Sequence, residues 1–187
     1  MTTIVFLLEE PSAKALLQGL VPRLVGPSIT TRYLVFEGKQ DLESQLVRRL
    51  RGWRTPNSVF VVLRDQDAAD CNAVKARLVE LVKESGRNAL VRVACRELEA
   101  WVAGDLVALA EAFQVPKIAE HARKEKFRDP DRLVRPVESL RALASDYQKV
   151  DGARRVGPLL NVGRNASPSF RAFCEGVRRV AAEGGDD

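Results

Sequence analysis

The chain has 187 residues, of which 45% are hydrophobic and 29% charged, and a formal net charge of +5. These values describe one globular domain, or one domain with a modest extension, long enough to bury an apolar core without covalent staples. They argue against membrane association and secretion: there is no uninterrupted run of ~18 apolar residues, and Glu9 and Glu10 stand where a signal peptide would be apolar. The expectation is a cytoplasmic chain with reduced thiols. Cys71, Cys95 and Cys174 show no C-x-x-C spacing, so neither a disulfide framework nor a zinc ribbon is expected.

In chain order, Ile4–Leu8 reads as a buried strand, and Pro11 suits the first turn of a helix continued by Leu16, Leu17 and Leu20, with Pro22 bending or ending it. Tyr33–Phe36 is a second strand. Asp41 could cap the next helix, whose Leu42, Leu46, Val47 and Leu50 form one apolar stripe. Val59–Leu63 is a third strand, continuously apolar, as in a parallel sheet covered on both faces. Val74, Leu78, Leu81 and Val82 mark a third helix, and Ala89–Ala94 a fourth strand. Further on, the pattern predicts a short helix from Asp105 to Phe113, a charged helix or helical turn over Lys117–Phe127, a helix starting at Pro136, a Gly/Pro/Asn-rich loop over roughly 151–168, and a last helix from about Ser169.

This β-α-β-α-β-α-β order predicts an α/β fold, an open, mostly parallel sheet with flanking helices, carrying a helical C-terminal appendage. The expected division is an α/β core over residues 1–104 and a basic helical extension over residues 105–187 packed on it. Functional groups of such sheets collect beyond the carboxyl ends of the strands. Every strand exit here is acidic: Glu9 and Glu10, then Glu37, then Asp65, Asp67 and Asp70, then Glu97 and Glu99. Carboxylates crowded on one rim repel one another unless a cation joins them.

The sharpest local pattern is Asp65-Gln66-Asp67 directly after a buried strand. Alternate residues of an extended segment point the same way, so both carboxylates can serve one hard cation such as Mg²⁺ or Mn²⁺. The competing explanation is that Asp67 or Asp70 simply caps the following helix. Together with Leu7-Leu8-Glu9-Glu10-Pro11-Ser12-Ala13-Lys14, this D-x-D resembles the Toprim (topoisomerase–primase) pattern, a Glu after the first strand and D-x-D after the third, over roughly residues 3–95. The resemblance implies an acidic site that holds Mg²⁺ and acts on phosphodiester bonds. Family members read Glu-Gly at the first strand, whereas Glu10 holds the glycine position here. Glu9 is favoured as the functional acid, with Glu10 and Glu37 as alternatives. Phe36-Glu37-Gly38-Lys39 matches the motif by letters but would leave a single helix before the D-x-D strand.

Arg96-Glu97-Leu98-Glu99-Ala100-Trp101 is similar to a segment in Toprim domains of the overcoming-lysogenization-defect (OLD) nucleases and of RloG-like bacterial proteins. It implies a further acid near a second metal, Glu99 ahead of Glu97, although acids at a helix start also suit the helix dipole. Tyr147-Gln148-Lys149-Val150 and the stretch from Arg164 to Phe170 resemble RloG-like chains as well. Lys149 could stabilise charge on a scissile phosphate, and Lys149 or Arg164 could position nucleic acid.

Charge is distributed unevenly. Residues 1–116 hold 15 basic and 14 acidic side chains, whereas residues 117–179 hold 15 basic and 8 acidic. A basic C-terminal third suggests a polyanion partner and counts against a small-molecule phosphohydrolase. The chain lacks G-x-x-x-x-G-K-[ST] and G-x-G-x-x-G, and His121 is its one histidine. With this charge pattern, the Toprim resemblance implies a Mg²⁺- or Mn²⁺-dependent phosphodiester-cleaving protein, a DNA nuclease component of bacterial defence or repair. Glu9, Asp65, Asp67 and Lys149 would be catalytic, with Asp70 and Glu99 adding metal ligands. Relatives implied by the resemblance often work beside a separate ATPase. The alternative is a non-catalytic subunit binding nucleic acid or such an ATPase.

Overall fold

The computed structural model describes residues 2–184. Four strands, β1 (Thr3–Leu8), β2 (Thr30–Val35), β3 (Ser58–Asp65) and β4 (Ala89–Ala94), form an all-parallel open sheet in the order β2-β1-β3-β4. β1 is buried along its whole length and β3 from Phe60 onward, as their apolar runs require. Alternate side chains of β1 feed opposite layers. Ile4, Phe6 and Leu8 join one core with α1 (Pro11–Leu20), while Val5 and Leu7 join another with α2 (Lys39–Arg51) and α3 (Cys71–Glu84).

The first core also takes in the C-terminal half. Short helices α4 (Glu99–Ala103) and α5 (Leu106–Phe113) lead, through 3-10 turns at Pro116–Arg123, Glu125–Phe127 and Pro130–Arg132, to α6 (Pro136–Leu143), α7 (Lys149–Val156) and α8 (Pro168–Glu183). Phe170, Phe173 and Val177 of α8 close over the sheet beside fully buried Trp101. The Trp101 ring lies 5.0 Å from Phe173 and 5.6 Å from Phe170, and its indole N–H donates to Ser169 Oγ at 2.8 Å. Side chains of this size bury 150–250 Å² each and dominate such a core.

Four local features differ from the sequence reading. β2 begins at Thr30 rather than Tyr33; it is an edge strand, so its polar start needs no apolar cover. The α2 N-cap is Gly38, with Asp41 in the first turn accepting the Glu37 N–H at 3.0 Å. The charged stretch after Pro116 is 3-10 rather than α-helical. Most consequentially, α7 occupies part of the segment read as a loop. Its Gly152 is a packing residue, since a Cβ there would fall against the Tyr147 ring.

Strand order fixes where a site can form. β1 lies between β2 and β3, so the chain runs outward on one side of β1 and then crosses to the other. That reversal opens a crevice beyond the carboxyl ends of β1 and β3, where Glu9, Glu10 and Asp65 lie.

Candidate metal centre

Carboxylate oxygens of Glu10, Asp65 and Glu99 lie within 4.8 Å of one another. Three elements deliver them: Glu10 is the N-cap residue of α1, Asp65 ends β3, and Glu99 opens α4. The Ser12 hydroxyl donates to Glu10 and orients it. Glu99 is 1% exposed, and neither of its side-chain oxygens accepts a hydrogen bond. A buried carboxylate left so bare costs free energy unless a cation meets it.

The one cation at the cluster among the described residues is Lys149, at the start of α7. Its ammonium is 3.2 Å from Glu10 Oε1 and 3.7 Å from Glu99 Oε2. A cation at a helix N-terminus opposes the helix dipole, and these carboxylates offset that cost. Burial works against the Lys149 charge, but Glu99, Glu10 and Asp65 together outweigh it and raise its pKa. Burial, and then the neighbouring Glu10, push Glu99 up to about 7 against the pull of Lys149. Asp65 is raised well above the ordinary carboxylate range by burial, then by Glu10, Glu99 and Glu9. Lys149 alone thus does not hold the buried carboxyls of Glu99 and Asp65 in their ordinary ionised range.

The other candidate acids take different places. Glu9 turns its carboxylate to the Asp65 backbone N–H at 3.1 Å, with Arg64 Nε 3.8 Å away, and burial raises its pKa. Asp67 pairs with Lys39 at 2.9 Å, and Asp70 caps α3 by accepting the Ala73 N–H at 2.8 Å. Glu97 is half-buried beside the cluster, its pKa raised by burial, and is not one of the three converging acids. Glu37 is exposed beyond the edge strand. Arg164, itself exposed, forms a two-pronged pair with fully buried Asp105, at 2.7 and 3.0 Å, so its guanidinium already has a carboxylate partner.

Two contributors escaped the sequence reading. Arg64 is buried and bridges Glu9 and Glu43 behind the cluster; a charged residue inside an apolar strand was the available signal. Tyr147 is fully buried, with its hydroxyl lacking a partner, and feels the Glu99 and Glu10 charges. The loops behind the acids are tied together. Asp67 N–H donates to Arg96 O at 2.7 Å, Arg96 N–H to Gln66 Oε1 at 3.1 Å, and both Asp67 and Arg96 hold left-handed backbone, φ 57° and 63°. Non-glycine residues in that region mark segments whose surroundings over-determine them.

The fold and site define a parallel α/β protein with an acidic cluster at its topological switch point. The chain belongs to the family described as a domain of unknown function, DUF4276, whose pattern matches residues 8–178. Its fold is that of a solved structure, the C-terminal region of the Burkholderia pseudomallei OLD protein. The two are 17% identical and superpose with a TM-score of 0.54, over 96% of this chain and 98% of that one. No curated protein gives a significant match. No described helix is long and apolar enough to cross a membrane.

Proposed function

We propose that the chain is a Toprim-like, divalent-metal-dependent phosphodiesterase acting on DNA in the cytoplasm, with Glu10, Asp65 and Glu99 as metal ligands. The observation that carries this reading is the pair of bare oxygens on buried Glu99 beside two more carboxylates. An all-oxygen, anionic donor set fits Mg²⁺ or Mn²⁺. A bound ion would supply positive charge against a phosphoryl oxygen.

The chain's own residues do the remaining work. Glu9 fixes the end of β3, and so Asp65, through its hydrogen bond to the Asp65 N–H. Lys149, 35% exposed at its side chain, holds a positive charge where a phosphate would approach the acids. Asp67 and Lys39 stand on the same rim as a polar pair able to exchange partners with an incoming phosphodiester. Asp70 serves as a helix cap and Arg164 as the surface-side partner of Asp105 in this reading. Residues 1–104 would form the acid-bearing core, with residues 105–187 as the extension that supplies Lys149 and phosphate-binding charge. The OLD-like fold supports this class of chemistry and leaves room for a separate ATPase partner.

The test is purified protein with supercoiled plasmid in Mg²⁺ and in Mn²⁺, beside Asp65→Ala and a chelator. Nicking that disappears in both controls is the expected result. Mn²⁺ binding unaltered by Asp65→Ala would overturn the reading. One observation favours a second role, a non-catalytic DNA-binding or ATPase-binding subunit: Lys149 itself sits between Glu10 and Glu99 as an internal counter-ion. Salt-sensitive DNA binding that persists in chelator, with no turnover in either metal, would select it.

A further inference from the structure

Two of the three thiols meet behind the acidic rim. Cys71 opens α3, just after the D-x-D loop, and Cys95 follows β4, just before the segment carrying Glu97 and Glu99. Their Sγ atoms are 4.0 Å apart and both residues are half-exposed, whereas Cys174 is fully buried in α8. The backbone ties between Gln66 and Ala94 and between Asp67 and Arg96 hold the two segments side by side. The Cys95 N–H also donates to Ser169 Oγ at 3.4 Å. A disulfide needs the sulfurs to close to about 2.05 Å, a movement that rotation about the two Cα–Cβ bonds supplies more readily than backbone displacement.

We propose that Cys71 and Cys95 form a reversible thiol–disulfide site that responds to small disulfide oxidants. This inference does not depend on the phosphodiesterase reading. Burial and the Asp131 carboxylate push the Cys95 thiol up to about 12, so the first attack comes from Cys71. The Cys71 thiolate attacks one sulfur of oxidised glutathione, forming a mixed disulfide and releasing one glutathione thiolate. That thiolate takes the Cys95 proton, and the Cys95 sulfur then attacks Cys71 Sγ and expels the second glutathione. Two protein thiols are oxidised by two electrons, and one glutathione disulfide is reduced to two thiols. The bond would link segments 24 residues apart in sequence and fix the D-x-D loop against the Glu97–Glu99 segment.

The experiment equilibrates the full chain in buffers of increasing oxidised-to-reduced glutathione ratio, quenches in acid, alkylates the free thiols in denaturant so that buried Cys174 also reacts, and reads intact mass and peptide links. The expected result is loss of two alkylation sites per chain, a Cys71–Cys95 cross-linked peptide, and reversal by dithiothreitol. Thermal unfolding of the linked form should lie about 5–10 °C above that of the reduced form. Cys95→Ser should stop at a glutathione adduct on Cys71, Cys71→Ser should leave Cys95 alkylatable, and neither variant should form a link within the chain, with circular dichroism matching the parent. A persistent glutathione adduct on the parent chain, a link to Cys174, links between chains only, or full alkylation throughout would each overturn the proposal.

Discussion

Glu99 combines deep burial, two oxygens without a hydrogen bond and a pKa near neutrality, and it yields the clearest pH dependence. Its folded pKa of about 7 stands above the ordinary 4.5, so between those values the folded state holds a proton that the unfolded state has lost. Stability therefore falls as pH rises from about 4.5 to about 7, by up to about 3 kcal/mol from this group. Glu99→Gln should flatten Tm against pH across that window while abolishing the rise in Tm that Mn²⁺ gives the parent. Thermal melts at pH 5, 6, 7 and 8, with and without Mn²⁺, measure both effects. A second residue-scale expectation concerns Asp105, which accepts from Arg164, caps α5 through the Ala108 N–H at 3.2 Å and takes the Asn161 N–H at 2.9 Å. Removing Arg164 takes away the charged partner of a buried carboxylate that keeps its two backbone N–H donors, so Arg164→Ala should cost about 2 kcal/mol in urea unfolding. An unchanged midpoint with weakened DNA binding would return Arg164 to a phosphate-contact role.

At the scale of elements, the site depends on how closely α1 and α7 pack. Glu10 precedes α1 and Lys149 begins α7, so the distance between those helices sets the ion pair. Gly157, the C-cap of α7, lies so near the Leu16 carbonyl that an added Cβ would collide with backbone. Gly157→Ala should cost about 1–3 kcal/mol and loosen the Lys149–Glu10 contact without touching a site residue. Unfolding midpoints, read beside the Mn²⁺ affinity, check this. Close packing explains why α7 was illegible in sequence: Gly152 and Gly157 look like loop residues, yet Gly152 is small because the Tyr147 ring lies against it and Gly157 because α1 does. By contrast, the strands and α1, α3 and α8 were legible because their apolar residues repeat at the spacing the element itself imposes.

For the whole molecule, the core beneath α1 and α8 is shared. Trp101 and Phe6 are covered by Phe173, and Ile4, Leu16, Val156 and Val177 belong to one buried cluster. A fragment of residues 1–104 would leave Trp101 and one face of the sheet uncovered. We expect it to bind a hydrophobic dye and to lack a cooperative urea transition. A sharp transition would instead show that the α/β half stands alone. Lys149 gives the same dependence chemically, because the acids of the first half find their counter-ion in the second.

Sequence alone determined the βα order, the parallel sheet and the gathering of acids at the strand exits, because strand and helix periodicities and chain connectivity are local or topological properties. It also singled out Asp65, Glu99 and Lys149. Which neighbouring glutamate reaches Asp65 and Glu99 was a tertiary decision. Glu9 and Glu10 are adjacent, and where the chain leaves β1 for α1 Glu9 faces the end of β3 while Glu10 faces Glu99 and Lys149. The use of Arg164 on Asp105, and the meeting of Cys71 with Cys95, were settled the same way. Each joins side chains far apart in sequence, and only the packing of helices and loops on the sheet determines which of them come within reach.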